Sequence, residues 1–374
     1  MCGGVKNDSR IYLVFDMQDD TRFHAAADDI AAQIAAAESQ KTPLILQGSG
    51  GKDFYGNPAT GKPLDLSSLS GVLDYAPSEL FIAAGAATSL SEVENMLSEN
   101  AQMLAFEPPH FGGATVGGAL ACGLSGPRRP AGGALRDHVL GIGLIDGRGR
   151  RLSFGGKVIK NVAGFDVSRL MAGALGVYGA ISDVVFRVSP VPECEATTVS
   201  DCDADEAIAS DNAMLAAGMP LTGGVWHDGR CWRRFSGGEQ SLRRAVRECG
   251  GDLLDDESHL DFWRAVREQT HPFFTDNDTD LWRIVSPATA PAGDVDFIEW
   301  HGATRWRRCS REDALLSSQQ AGGAATLFRA ADSKTADRFP SPPPPLMRIC
   351  RNLKNALDPE NILNRGRLYD FGAE

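Results

Sequence analysis

Backbone that is to hold the oxygens of a diphosphate needs glycines, because without a Cβ the amides approach closely and adopt dihedral angles closed to other residues. Two segments of this chain have that character. The first is Gly48-Ser49-Gly50-Gly51, followed by Lys52. The second is Gly112-Gly113-Ala114-Thr115-Val116-Gly117-Gly118, continued by Gly123-Leu124-Ser125-Gly126. Alone, a Gly-x-Gly-Gly string is equally a flexible surface turn; two in concert point to a nucleotide diphosphate. The standard motifs do not fit. A Walker A loop needs glycine where Leu46 stands and Ser or Thr where Asp53 stands. A Rossmann loop opens a helix, and Asp53-Phe54-Tyr55-Gly56-Asn57-Pro58 carries turn formers with no helical period.

The elements that must position these loops are legible. Ala25 to Ser39, with Ile30 and Ile34 on one face, reads as a helix, and Pro43 to Gln47 as the strand that feeds the first loop. Strands are expected around Leu64 to Leu66 and Leu80 to Ala84. A helix is expected from Leu90 to Glu99, opened by Ser89 with Glu92 three residues on. Val139 to Ile145, a turn at Asp146-Gly147, and Arg151 to Phe154 read as a hairpin. The mixture of short strands and helices predicts a mixed α/β unit. After Ser189-Pro190-Val191-Pro192 the composition turns acidic and irregular, which places a domain boundary there. A second unit is expected over 191–340, holding all six tryptophans between Trp226 and Trp306. Pro340 to Pro345 reads as a stiff extended linker, followed by a helix from Leu346 to Leu357 and a tail, so that 341–374 forms a third segment.

Composition narrows the function. The 374 residues suffice for more than one packed unit, and 43% apolar with 23% charged residues is ordinary for a globular enzyme. The net charge of −12 argues against nucleic acid as a partner. The cysteines at 2, 122, 194, 202, 231, 249, 309 and 350 have no two-residue gap and the histidines no clustering, so reduced thiols and no metal are expected. Met1 to Asp8 lacks a basic segment followed by an apolar core, and no stretch is apolar enough to span a bilayer. A cytoplasmic protein, peripheral to the inner membrane only through partners, is the expectation.

The two glycine segments, together with Arg136-Asp137-His138-Val139-Leu140-Gly141 and Gly176-Val177-Tyr178-Gly179-Ala180-Ile181, resemble FAD domains of the vanillyl-alcohol-oxidase type. Three further strings are similar to the FAD-binding subunits of bacterial glycolate oxidases: Phe106 to Gly113 (Phe-Glu-Pro-Pro-His-Phe-Gly-Gly), Leu124 to Pro130, and Lys160 to Leu170. Leu357 to Tyr369 resembles the closing motif of these flavoproteins, and Trp300 to Trp306 and Ala325 to Arg329 also look like this subunit. The resemblance implies an α+β fold: a two-part FAD-binding domain over 1–190, a smaller α/β cap domain over 191–340, and a C-terminal segment returning to the first.

It also implies roles. Gly48, Ser49, Gly50 and Gly51 would wrap the FAD pyrophosphate beside Lys52, with Gly112, Gly113, Thr115, Val116, Gly117 and Gly118 on its other side. Pro109, Ser125 and Arg128 lie where the second loop passes the flavin, and a cation there would stabilise an anionic reduced ring. Asn161, Gly164 and Asp166 match the family's run before a helix at Ser168, and Gly176, Gly179 and Ile181 would line the adenine or the ring. Relatives with covalent FAD often have histidine where Lys52 stands, so the FAD is expected to be noncovalent; Tyr178 replaces a residue that is usually smaller. Oxidation of a 2-hydroxy acid needs a base for the hydroxyl proton and commonly an arginine for the carboxylate. His301, Arg305 and Arg283 are candidates, although Trp300-His301 and Arg305-Trp306 are equally packed pairs. The resemblance implies as partners a larger FAD-linked catalytic subunit and an iron–sulfur subunit of glycolate oxidase. Two roles stay open: turnover of glycolate by this chain itself, or electron transfer and scaffolding for the larger subunit. A stand-alone oxidoreductase of another hydroxy acid is a third.

Overall fold

The computed structural model describes residues 17–156 and 166–371. The alanine-rich segment forms the helix Met17–Ser39, whose Ala27, Ile30, Ile34 and Ala37 are buried against Leu44 and Leu64. It delivers the chain into the strand Leu44–Gln47, which pairs in parallel with Lys62–Asp65. The chain end returns to the same place: Leu363 bridges Leu44 in parallel, and the Asn364 side chain accepts from the Leu46 amide at 2.8 Å. That return is fixed by a buried ion pair, Lys354 Nζ on Asp358 at 2.5 Å, with the ammonium also donating to the Val177 and Leu363 carbonyls.

Beside this pair stands a 5-stranded sheet in the order Val72–Ala76, Phe81–Gly85, Ala180–Arg187, Val139–Ile145, Arg151–Gly155. Its pairs are all antiparallel. The predicted hairpin is present, but its turn spans more than Asp146-Gly147: the Asp146 carboxylate accepts from the amides of Arg148 and Arg150, closing an acidic-residue loop. The helix Leu90–Ser98 starts where expected, with Ser89 Oγ accepting from the Glu92 amide.

Residues beyond 193 build an 8-stranded sheet that runs from Asp252–Leu253 at one edge to Ala324–Arg329 at the other. Every pairing in it is antiparallel, so the expectation of an α/β cap is corrected to α+β. Its strands are joined by hairpins and by helices that return antiparallel, with no βαβ crossover between neighbours. One apolar cluster runs across both sheets' territory, joining Tyr55, Cys122, Leu124 and Leu175 to Trp263, Phe297, Trp306 and Phe328. The proline linker is shorter than predicted, because Pro344 and Pro345 open the helix Pro344–Leu357. Proline at the first helical positions loses nothing, since those amides have no intrahelical partner.

Candidate functional site

The first glycine loop leaves the strand Leu44–Gln47 and folds onto the second. Gly50 has φ +77°, a conformation that suits glycine. A Cβ on Gly51 would stand 2.6 Å from the Gly113 carbonyl oxygen, and Ser49 Oγ donates to that same oxygen at 2.6 Å. The close approach of two backbones is what the glycines supply. Among the described residues, the amides of Gly48, Ser49, Gly50, Gly51 and Lys52 donate to no protein acceptor. Five successive N–H groups without a protein acceptor are donors of the kind that can hold an anion.

The second segment contains a helix that the glycines hid from a reading by propensity, Val116–Cys122, capped by Thr115 Oγ1 accepting from the Gly118 amide. Its amides at Val116 and Gly117 are spent on the Thr88 and Ala86 carbonyls. Gly117 packs so tightly that a Cβ would lie 2.6 Å from that of Ala86. Thr115, Gly117 and Gly118 therefore wall the cleft, while Val116 is fully buried in the core behind it. Gly113 backs the first loop through its carbonyl, and neither it nor Gly112 lines the cleft.

The cleft encloses about 800 Å³ of empty space, part of it open to solvent, and its far wall is Gly176, Gly179 and Ile181. Cys122, Asn364 and Arg367 are among the wall residues not singled out as site residues from the sequence. Asn364 joins the first strand to the Leu175 carbonyl at 2.7 Å, and Arg367 donates to the carbonyls of Asp53 and Tyr55 just after the loop. Both lie in the closing segment 357–369, whose pattern was visible but whose side-chain reach was not. Lys52 stands on the cleft wall with two other charged residues, Asp53 and Arg367. Its side chain is 8% exposed, its Nζ has no hydrogen-bond partner, and burial lowers its pKa. An unpaired buried ammonium at the mouth of free amides fits an anionic group such as a pyrophosphate. Cys122 is the nucleophilic side chain on the cleft wall, and burial pushes its thiol up to about 11.

A second chamber, with about 360 Å³ of empty space, lies between the segment 109–127 and the 8-stranded sheet and is lined by Pro109, Ser125, Arg283, Glu299, Trp300, Trp306 and Phe328 among others. Lys52 lies 5.6 Å from the Phe111 ring, which also lines this chamber, so the two spaces adjoin. Ser125 Oγ accepts from the Leu135 amide. Arg128 is not free to face a flavin: it donates to Glu107 at 3.2 Å, to Glu195 at 2.6 Å and to Ser236 at 3.1 Å. Glu107 also receives Arg234 on both oxygens, and these two guanidiniums hold its carboxyl below the usual range against burial. Arg128 thus ties the first unit to the second.

His301 and Arg305 are separated from both spaces. His301 is 2% exposed with Nδ1 on the Asp211 carboxylate at 3.0 Å, and Arg305 is spent on the carbonyls of Ala290, Pro291, Ala292 and Gly302. Arg283 alone of the three candidates faces the chamber. Asp166 caps the helix Val167–Leu170 by accepting from the Arg169 amide, while Asn161 and Gly164 lie outside the described residues. Tyr178 is buried against Phe371 at 6.0 Å. Among the described residues no group of three or more His, Cys, Asp or Glu side chains is placed to hold a metal, and no helix is long and apolar enough to cross a membrane.

Residues 23–155 match the family model described as an FAD binding domain. The fold is similar to that of alkyldihydroxyacetonephosphate synthase, with a TM-score of 0.64 over 90% of this chain and 75% of that one at 14% identity. A D-lactate dehydrogenase of Archaeoglobus fulgidus is 28% identical over 167 residues, 44% of this chain and 37% of that protein. Glycolate oxidase subunit GlcD of Bacillus subtilis is 24% identical over 175 residues, 46% of this chain and 37% of that protein. Glycolate oxidase subunit GlcE of Escherichia coli is 41% identical over 343 residues, covering 90% of this chain and 95% of that protein. With that identity sustained over nine-tenths of the chain, and with both glycine loops inside the matched FAD binding domain, the chain belongs to the family of the glycolate oxidase subunit GlcE.

Proposed function

We propose that this chain is the FAD-binding subunit of a glycolate oxidase, holding FAD noncovalently and taking part in oxidation of glycolate, a 2-hydroxy acid, to glyoxylate. In this reading residues 1–190 are the FAD-binding domain, 191–340 the cap and 341–374 the returning segment. The partners are a larger FAD-linked subunit and an iron–sulfur subunit. The observation that carries the reading is the row of free amides from Gly48 to Lys52, ending in a buried unpaired ammonium, in a chain so similar to GlcE.

Bound FAD supplies a two-electron acceptor. The chain's own part is to hold it. The loop amides and Lys52 offset the diphosphate charge without reorganising, because Ser49, Asn364 and Arg367 already fix the loop's two ends. Noncovalent attachment is supported by the one thiol on the wall, Cys122, which stays protonated near neutrality and is therefore a poor nucleophile. The apolar wall of Leu46, Leu66, Ala86 and Ala87 excludes water from the other side.

The test is anaerobic addition of glycolate to the purified chain, alone and then with its partner subunits, followed by visible absorption. Flavin bands that bleach in the chain alone assign it direct turnover; bands that bleach only in the complex assign it a part in electron transfer. Bands that never respond in either setting contradict the proposal.

A further inference from the structure

We propose that the chamber between the segment 109–127 and the 8-stranded sheet binds a small 2-hydroxy carboxylate, with Arg283 pairing the carboxylate and Glu299 holding the hydroxyl. The inference rests on the glycolate oxidase reading and names the residues through which that reading would meet its substrate.

Three adjacent strands bring the groups together. Leu281–Val285 pairs with Thr304–Arg308, which pairs with Phe297–Glu299, and the register sets Arg283 opposite Trp306 and Trp306 opposite Phe297. Glu299 stands two residues from Phe297, so the period of two puts Arg283, Trp306 and Glu299 on one face, and all three line the chamber. The sheet thus fixes a cation and a carboxyl on rigid backbone.

Neither group is satisfied by the protein. Arg283 Nε has no hydrogen-bond partner, and its terminal nitrogen reaches the Tyr55 hydroxyl only at 3.5 Å. Its guanidinium also stands over the Phe328 ring, 5.6 Å from the centroid. Arg128, Arg233 and Arg234, by contrast, each hold a carboxylate. Arg283 is half-buried with its Nε enclosed and unpartnered, so a ligand that brings an anion to it replaces a missing hydrogen bond. Glu299 is 6% exposed; its Oε2 accepts from Trp306 Nε1 at 2.6 Å, and its other oxygen has no partner among the described residues. Burial lifts its carboxyl to about 7 against the Trp306 hydrogen bond and the Arg283 charge, with Glu107 adding to the lift from the first unit.

Charge selects the ligand class. Arg283 lines the chamber with Arg267 from the end of the helix Asp256–Arg267, and Arg129 lies 4.4 Å from the Trp300 ring on its wall. A monocarboxylate is attracted, and an ammonium on the neighbouring carbon is repelled. A hydroxyl there meets the free Glu299 oxygen. Because the ligand is an anion, it binds while Glu299 is protonated and is repelled once Glu299 ionises.

The probe is 2-hydroxy-2-methylpropanoate, which has the carboxylate and hydroxyl but no hydrogen on the carbinol carbon to be removed. It is titrated by calorimetry into the full-length chain after its flavin content has been read. Expected are saturable binding that weakens as pH rises through about 7, and a loss of about 10- to 100-fold in Arg283→Met, the size of a charge-assisted hydrogen bond. Arg283→Lys should recover part of that loss. In Glu299→Gln the pH dependence should flatten, with affinity at pH 6 held within about threefold, since an amide still accepts from the hydroxyl. Equal binding of acetate or glycine by the wild-type chain overturns the assignment without any variant. So does an Arg283→Met protein that binds as well as wild type. A chain that takes up FAD but ignores the probe overturns the chamber and leaves the parent reading standing. A chain that binds the probe yet never takes FAD supports the chamber and refutes the parent reading.

Discussion

Lys52→Met separates the effect of this residue on the fold from its effect on the cofactor. Methionine keeps an unbranched apolar stem and removes the ammonium. In the apo protein that ammonium is buried, has no hydrogen-bond partner and has a depressed pKa. A lysine depressed in the folded state binds fewer protons there than in the unfolded chain, between its folded pKa and the ordinary lysine value of 10.5. Stability therefore rises with pH through that window, and the penalty is fully present below it. The variant should be more stable than wild type in the apo state at pH 7, an advantage that shrinks as pH climbs toward 10.5. FAD binding should move the other way. Loss of one charge-assisted contact to the pyrophosphate is about 1.5–3 kcal/mol, or about 10- to 150-fold in affinity. Urea denaturation of the apo proteins at two pH values and quenching of flavin fluorescence on titration read the two effects separately. Unchanged FAD affinity, or an apo protein destabilised by more than about 1 kcal/mol, would refute the reasoning.

Gly51→Ala places a methyl 2.6 Å from the Gly113 carbonyl oxygen, backbone against backbone, and should weaken both fold and FAD binding, by about 1–3 kcal/mol in stability. Gly113→Ala, whose Cβ meets nothing within 4 Å, should stay within about 0.5 kcal/mol of wild type in the same thermal melts. Lys354→Met leaves the fully buried Asp358 carboxylate without its cation and should cost about 3–5 kcal/mol in urea denaturation. Cys202, held down to about 7 by the Cys231 thiol and helped by Arg233, should be alkylated by iodoacetamide well before Cys309, whose thiol burial pushes up. Peptide mapping after brief labelling across pH 6 to 8 checks the order, and equal rates at the two sites would contradict it.

How much of this could be read from residues alone depended on how local the cause was. The strand into the first glycine loop, the Ser89 cap and the hairpin pairing of Val139–Ile145 with Arg151–Gly155 follow from neighbours in sequence. The helix Val116–Cys122 was hidden because Gly117 and Gly118 lower helix propensity, yet Gly117 is there for its contact with Ala86, a tertiary demand. Arg128 looked like a flavin cation until Glu107 and Glu195 converged on it from two units. His301, in the turn after the strand Phe297–Glu299, and Arg305, on the opposite face of its strand from Trp306, are spent on Asp211 and on carbonyls away from both spaces. Glu299 had no sequence signal at all: its significance comes from standing beside Arg283 across two strand pairings. Asn364 and Arg367 were inside a recognised pattern, but nothing local says that a chain end returns to the first strand.

The most direct test of the central claim is titration of FAD into the purified chain, followed by acid precipitation and the absorption spectrum of the supernatant. The account predicts saturable uptake at one FAD per chain, with flavin bands released wholly into the supernatant by acid. Flavin retained in the precipitate would contradict noncovalent binding, and a chain that takes up no FAD under any condition would contradict the glycine cleft as a flavin site.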